Sequence, residues 1–365
     1  MRLSKLLGRT LRQPPAEARL PSHQLLVRAG YVRSLEAGRF AYLPLGHLAL
    51  DRLRDMVRRE MASLGGQELD VPTDPDGEPL MELVRLVGRE VDSYRQLPVL
   101  LHQMADVSTS PPNPRDGLFG ARERPVASVY AFGSSGLAGE EPVGNALRSI
   151  LMACDVPVVW AGLAAGERRA YVTHPSGDSE VVRCVSCDYA SERSWAATAW
   201  ADAPDEPEGP TAEIETPGCD TIAALAEFLH IPASQTLKMV FYSVEGEVTC
   251  IVIRGDRLVD EAKLARVLGT DWYYTSMEDE LAAVGAVGGY ASPIGLDQSK
   301  LRVVADPSVR SGKNFVSGAN RPDYHIRNVN IPRDFQPEEW ADLALVEPGD
   351  PCPCCGSPLA IVPAF

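Results

Sequence analysis

Two Cys-x-x-Cys pairs set the tightest constraint on how this chain can fold. Cys184/Cys187 and Cys352/Cys355 lie far apart in sequence, and each has the spacing of a knuckle that offers two thiolates to one metal ion. If both serve one tetrahedral site, the end of the chain is tied back to its body, and structural Zn²⁺ is the expected occupant. The plainer reading is four reduced thiols without a metal, and Cys354 offers a competing ligand. Cys154, Cys219 and Cys250 lie in or beside apolar stretches and read as small core residues. A disulfide framework is not expected, because the cytoplasm is the default compartment. No apolar run approaches the ~20 residues that span a bilayer, so no membrane partner is expected. The basic N-terminus lacks the apolar stretch of a signal peptide.

At 365 residues the chain is long enough for several domains, each with its own core. The formal net charge of -15 argues against non-specific nucleic-acid binding by the whole surface. Residues 1–60 nevertheless carry 12 Lys/Arg against 5 Asp/Glu, so an RNA partner is allowed without being signalled by charge. The acidic, Pro-rich segment Ala201–Pro210 cannot form a packed element and is the best domain boundary. A second boundary falls near Gln336–Asp350, ahead of the last cysteines.

Apolar spacing predicts a helix over His47–Leu64 stopped by Gly65-Gly66, another within Leu80–Leu101, and short strands at Val156–Trp160 and Glu180–Arg183. Beyond the boundary, Thr221 is a plausible N-cap for a helix to Leu229, and Asp260 for one to Leu268. Leu237–Ser243 and Val248–Arg254 read as a β-hairpin, Leu301–Ala305 as a strand, and Ser317–Asn320 as a Gly-containing turn.

Ser22–Pro72, with Tyr42-Leu43-Pro44-Leu45-Gly46 and the long helix after it, resembles the opening of bacterial prolyl-tRNA synthetases. Ser93–Pro98 fits the same family, and Thr216–Phe335 resembles its YbaK-type insertion editing domain. The resemblance implies an α+β chain: a class II synthetase-like antiparallel-sheet core over 1–200, a linker over 201–215, a mixed α/β editing domain over 216–335, and a return segment over 336–365. It also implies a homodimer built through the long motif-1 helix.

The departures from the family bear on activation. The family's Phe-Arg-Asp-Glu falls on Ser108-Thr109-Ser110-Pro111, and its Thr-x-Glu-Glu loop on Glu78-Pro79-Leu80-Met81. Its proline-pocket element is replaced around Leu163–Ala170, and the chain stops at Phe365, before motif 3 and the anticodon-binding domain. Activation needs cations on the ATP phosphates and carboxylates for magnesium or the substrate amine. The synthetase body is therefore expected to be degenerate, with no ATP or Mg requirement.

The editing pattern is kept. Lys238 matches the lysine that engages the tRNA end, a fitting role for a cation facing a polyanion. Gly288–Gly295 resembles the pocket's Gly-rich loop, with Gly289, Ser292, Pro293 and Gly295 as substrate-binding candidates. Asp306 occupies the family's strand-end aspartate position, and Gly318-Ala319-Asn320 followed by His325 matches its Gly-Ala-Asn…His signature. Lys238, Asp306 and His325 are thus expected at the reaction centre and Gly318–Asn320 around the substrate. A lone lysine at a strand start or a lone histidine among strands is otherwise more often structural. The resemblance implies water attack on the aminoacyl ester, organised by backbone groups and the substrate's ribose hydroxyl. A smaller editing pocket is needed because a missing methylene gives only ~1–3 kcal/mol of discrimination. The reading is a trans-acting deacylase for mischarged tRNA, chiefly Ala-tRNA(Pro), that meets the acceptor end of tRNA(Pro) and works beside a prolyl-tRNA synthetase. Two alternatives stay open: a non-catalytic paralogue that binds tRNA or a synthetase, and a prolyl-tRNA ligase.

Overall fold

The computed structural model describes residues 5–72, 80–108, 117–133, 140–163 and 166–365. The chain divides into two compact units, Met1–Pro157 and Val158–Phe365. Among the described residues no helix is long and apolar enough to cross a membrane.

In the first unit, α1 (Pro21–Arg28) leads into an antiparallel hairpin of β1 (Val32–Glu36) and β2 (Arg39–Tyr42), followed by α2 (Pro44–Ser63). The apolar pattern starts this helix at His47. It begins three residues earlier because Pro44 fits the first turn, where its missing N–H is not needed. Gly46 is required at that point, since a Cβ would meet the Tyr31 carbonyl oxygen at 2.2 Å. Met61 is buried, whereas Leu53 stays exposed.

Next, β3 (Gln67–Glu68) runs parallel to β4 (Val99–Ser108), and β4 pairs along its whole length with antiparallel β5 (Glu123–Phe132). Between β3 and β4 lies α3 (Leu80–Glu90), and α4 (Glu140–Ala153) follows β5. The helix expected within Leu80–Leu101 thus ends at Glu90, and Val99 already belongs to a strand. A capping box between Ser93 and Gln96 starts a separate short turn between them. The replacements at Glu78, Pro79, Thr109, Ser110 and Pro111 lie outside the described residues, as do residues 164 and 165 of the altered proline-pocket element.

In the second unit, β6 (Val158–Gly162), β7 (Arg168–Val172), β8 (Ser179–Cys184) and β9 (Ala190–Glu192) form a sheet completed by Leu359–Ala364, which pairs antiparallel with β8. Residues 201–210 form no helix or strand, as expected, but they are pinned in place. Gly209 N–H donates to Asn314 Oδ1 at 2.9 Å, and Asn328 Nδ2 donates to the Pro210 carbonyl at 2.9 Å. The last residues assigned to the linker are a strand: β10 (Ala212–Glu215) pairs within a sheet.

From there α5 (Ile222–Leu229) starts at Thr221, whose hydroxyl accepts from Ala224 N–H at 3.3 Å. The hairpin of β11 (Leu237–Val244) and β12 (Glu247–Arg254) turns at Glu245-Gly246, both with positive φ. Then come α6 (Glu261–Leu268), capped by Asp260, β13 (Tyr274–Thr275), α7 (Glu278–Ala283), β14 (Leu301–Ala305), β15 (Phe315–Gly318), β16 (Tyr324–Val329) and β17 (Glu339–Trp340). The five-stranded sheet has the order β13-β11-β12-β14-β17, and the smaller one β10-β16-β15. β12 reads as a near-continuous apolar run, broken by Thr249, because both its faces are covered. Cys250 and Val252 join one core with Phe315 and Val329, while Ile251 packs on the other face with Leu264 and Leu343.

Candidate functional site

The starts of α5 and β11 and the facing pair β15–β16 enclose a cavity of about 310 Å³. It is lined by Lys238, Gly289, Gly318 and His325 from the expected set, joined by Asp220, Thr221, Ile222, Leu225, Leu237, Met239 and Ala291. The volume lies at the small end of ligand pockets, roughly 300–1,000 Å³.

His325 is placed by register. On β16 it faces Ile214 of β10 and Gly318 of β15, so its ring is buried between strands. Nδ1 lies 2.6 Å from Thr216 Oγ1, and the Tyr290 ring is tilted against it at 5.8 Å. Burial pushes the His325 pKa down to about 4. The imidazole is therefore uncharged at neutral pH, able to orient a ligand by hydrogen bonding but not to neutralise a phosphate.

Lys238 supplies the positive charge. It is half-buried on β11, burial lowers its pKa, and Asp256 opposes that shift. Its ammonium donates a short hydrogen bond to the backbone carbonyl of Arg257. An ammonium has three N–H donors, so two remain for a ligand.

The Gly-rich loop packs closely on Gly318 of β15 and is braced by Asn320. Gly318 has no room for a side chain: a Cβ would lie 2.0 Å from the Tyr290 carbonyl oxygen. Asn320, just beyond β15, braces the loop itself, accepting from Ser292 N–H at 2.8 Å and donating to the Ile294 carbonyl at 2.8 Å. Ser292 is buried, with its hydroxyl 3.0 Å from Ser317 Oγ. Ser292, Pro293, Gly295, Ala319 and Asn320 are not among the residues that line the cavity.

Asp306, expected at the reaction centre, lies apart from the cavity. It does not line the cavity, and it is fully buried. One carboxylate oxygen accepts from Ser308 N–H at 2.8 Å; the other accepts from Leu343 N–H at 2.8 Å and Ala344 N–H at 2.9 Å. Three backbone donors account for this anion without any substrate. It fastens the end of β14 to the return segment.

No thiol nucleophile faces the cavity among the described lining residues. Cys250 is fully buried in β12, and burial raises its pKa, as it does for Cys219. Both are protonated core thiols. The residues that sequence reasoning missed are apolar walls and Asp220, which carry no motif. Thr221 was visible only as a helix cap, and Thr216 only as a domain start.

The four paired cysteines do come together. The Sγ atoms of Cys184, Cys187, Cys352 and Cys355 all lie within 4.8 Å of one another, with Cys184···Cys355 at 3.4 Å and Cys187···Cys352 at 3.7 Å. A tetrahedral site with Zn–S bonds of ~2.3 Å needs S···S separations of about 3.8 Å. Ser186 N–H and Cys354 N–H donate to the Cys184 and Cys352 sulfurs at 3.3 and 3.4 Å. Cys354 is exposed and its sulfur is not one of the four. The donor set fits a metal ion such as zinc.

Residues 216–334 match the aminoacyl-tRNA editing domain family. The proline–tRNA ligase of Dehalococcoides mccartyi is 32% identical over 400 residues, covering 99% of this chain and 70% of that protein. The proline–tRNA ligase of Desulforamulus reducens is 36% identical over 402 residues, covering 98% and 70%. The chain belongs to the prolyl-tRNA synthetase family. Another member, from Streptomyces griseus, is 34% identical over 401 residues, covering 99% of this chain and 70% of its own length. Within the family, the cavity described above falls inside the editing domain, and the cysteine pairs flank that domain on both sides.

Proposed function

We propose that this chain hydrolyses the ester of mischarged aminoacyl-tRNA, Ala-tRNA(Pro) above all, in trans and without activating an amino acid. The observation that carries the reading is the cavity of about 310 Å³ in which Lys238, His325, Gly289 and Gly318 converge. In this reading Lys238 holds the 3′-terminal phosphate with the two N–H donors left free by Arg257. Neutral His325 orients the terminal ribose or aminoacyl group, and the close-packed glycine backbone sets the size limit. Water attacks the ester carbonyl with help from the substrate's ribose hydroxyl, and no acyl-enzyme forms, a reading supported by the lack of a cysteine or serine among the described lining residues. Lys238 and His325 remain the reaction-centre residues of this proposal, and Asp306 becomes a support.

The cysteine cluster binds a structural zinc ion that holds the two flanks of the editing domain together. Exposed Leu48 and Leu53 on α2 support a homodimer through that helix. The partner is the acceptor end of tRNA(Pro), delivered by a prolyl-tRNA synthetase. The ligase names of the relatives favour a second reading, proline activation by the first unit.

One experiment separates these. The protein and its Lys238→Ala variant are incubated with Ala-tRNA(Pro) and Pro-tRNA(Pro), with proline-dependent ATP–pyrophosphate exchange run in parallel. Selective, Lys238-dependent deacylation without exchange is expected. Exchange activity would establish the ligase reading, inertness in both assays a binding paralogue, and a trapped acyl-enzyme would overturn the mechanism.

A further inference from the structure

The lysine at the cavity is held by a carbonyl, and the side chain of the residue that carries it is held from outside the editing domain. Arg257 follows β12 in a turn closed by its own N–H donating to the Arg254 carbonyl at 2.9 Å. Its guanidinium donates to Asp350 Oδ1 at 2.7 Å, with both side chains about nine-tenths buried, and lies 4.8 Å over the Trp200 ring. Asp350 is in turn fixed in the return segment, its second oxygen accepting from Glu347 N–H at 2.9 Å. The same loop is stitched again where Leu345 N–H donates to the Leu258 carbonyl at 2.8 Å. Trp200 and Asp350 lie on opposite sides of the matched editing segment, residues 216–334, and outside it.

We propose that Asp350 and Arg257 are positioning residues for Lys238: their ion pair fixes the Arg257 carbonyl, and the carbonyl fixes the ammonium. An unanchored lysine could rotate about four single bonds and present its charge in many directions. Spending one N–H on a rigid acceptor points the other two along set directions, so the entropy of aiming the cation is removed before the tRNA end arrives. The return segment thereby completes the cavity although no residue of it lines the wall.

This inference rests on the deacylase reading for its kinetic consequence but not for its structural one, and the test keeps the two apart. Full-length protein is labelled with ¹³C at the lysine ε-carbon. The chain has only five lysines, and Lys238→Arg assigns the Lys238 signal. Asp350→Asn keeps the shape and loses the charge. The double variant Arg257→Leu/Asp350→Leu removes the pair without stranding a charge, and serves if the single variant fails to fold. Lys263, salt-bridged to Asp342 at 3.0 Å, is the internal control for folding.

The expected result is a moved Lys238 signal with an unmoved Lys263 signal, and kcat/KM for Ala-tRNA(Pro) reduced about tenfold, since a displacement of ~1 Å can cost up to about a hundredfold. Asp350→Glu, which keeps the carboxylate, should recover most of the loss. A Lys238 signal and kcat/KM both unchanged in a folded variant overturn the inference. If wild-type protein deacylates nothing, the function reading falls, and the Lys238 signal alone then decides for or against the anchor.

Discussion

The buried imidazole makes a prediction that can be worked through in numbers. His325 has a pKa of about 4 in the folded chain against an ordinary value of 6.5, and the cause is burial. Between those values the unfolded chain binds the proton and the folded chain does not. Stability is therefore fully present above pH 6.5 and is lost as the pH falls toward 4. At ~1.4 kcal/mol per pKa unit, the contribution lost between pH 7 and pH 5 is roughly 2 kcal/mol, levelling near 3 kcal/mol below pH 4. Urea unfolding at pH 7, 6 and 5 of wild type and His325→Asn isolates this group, because every other titration is common to both proteins. Asparagine keeps a polar atom for Thr216 Oγ1, which lies 2.6 Å from the imidazole. The stability advantage of wild type over the variant should shrink by roughly 2 kcal/mol between pH 7 and pH 5. Parallel curves for the two proteins, or an imidazole proton resonance titrating near 6.5, would show that the ring is not desolvated and would refute the reasoning.

Three further outcomes follow from the same geometry. Asp306→Asn should lower stability by about 1–3 kcal/mol, because an amide cannot accept from all three backbone donors. Its deacylation rate per folded molecule should be unchanged, and a large loss of kcat would return Asp306 to the chemistry. Gly318→Ala places a Cβ 2.0 Å from the Tyr290 carbonyl, so backbone must move. A cost of about 1–3 kcal/mol, read as a lower Tm, should accompany weakened hydrolysis of Ala-tRNA(Pro). Metal analysis of purified protein should find one zinc per chain, lost in Cys352→Ser together with thermal stability. Wild type without stoichiometric zinc ends that proposal.

Local signals were the readable ones. Thr221 and Asp260 cap their helices as their side chains suggest, and the strand Leu301–Ala305 was visible from its apolar run. The hairpin of β11 and β12 follows from its two closely spaced apolar runs. The fastening of the chain was not readable. Asp306 looks like a reaction-centre carboxylate until Leu343 and Ala344 arrive from 37 and 38 residues away to occupy one oxygen. The partner of His325, Thr216, is 109 residues distant, and no sequence period links them. Even the acidic Pro-rich stretch misled at its end, because Ala212–Glu215 gains its strand only from pairing with β16. Of the cavity, the motif residues were legible. Its apolar walls were not, because Leu225, Leu237 and Ala291 look like any other core residues.

The cysteine cluster has a consequence for how such a chain can change over generations. Cys187 and Cys352 are 165 residues apart in sequence, yet their sulfurs are 3.7 Å apart. Everything between them leaves and returns at one doorway. The entropy of closing so long an excursion grows only logarithmically, about 0.6 kcal/mol for each doubling of length. Hairpins could be added or trimmed inside it at little thermodynamic penalty, while the doorway itself stays put. A body with such a doorway can exchange the whole room behind it without rebuilding the house.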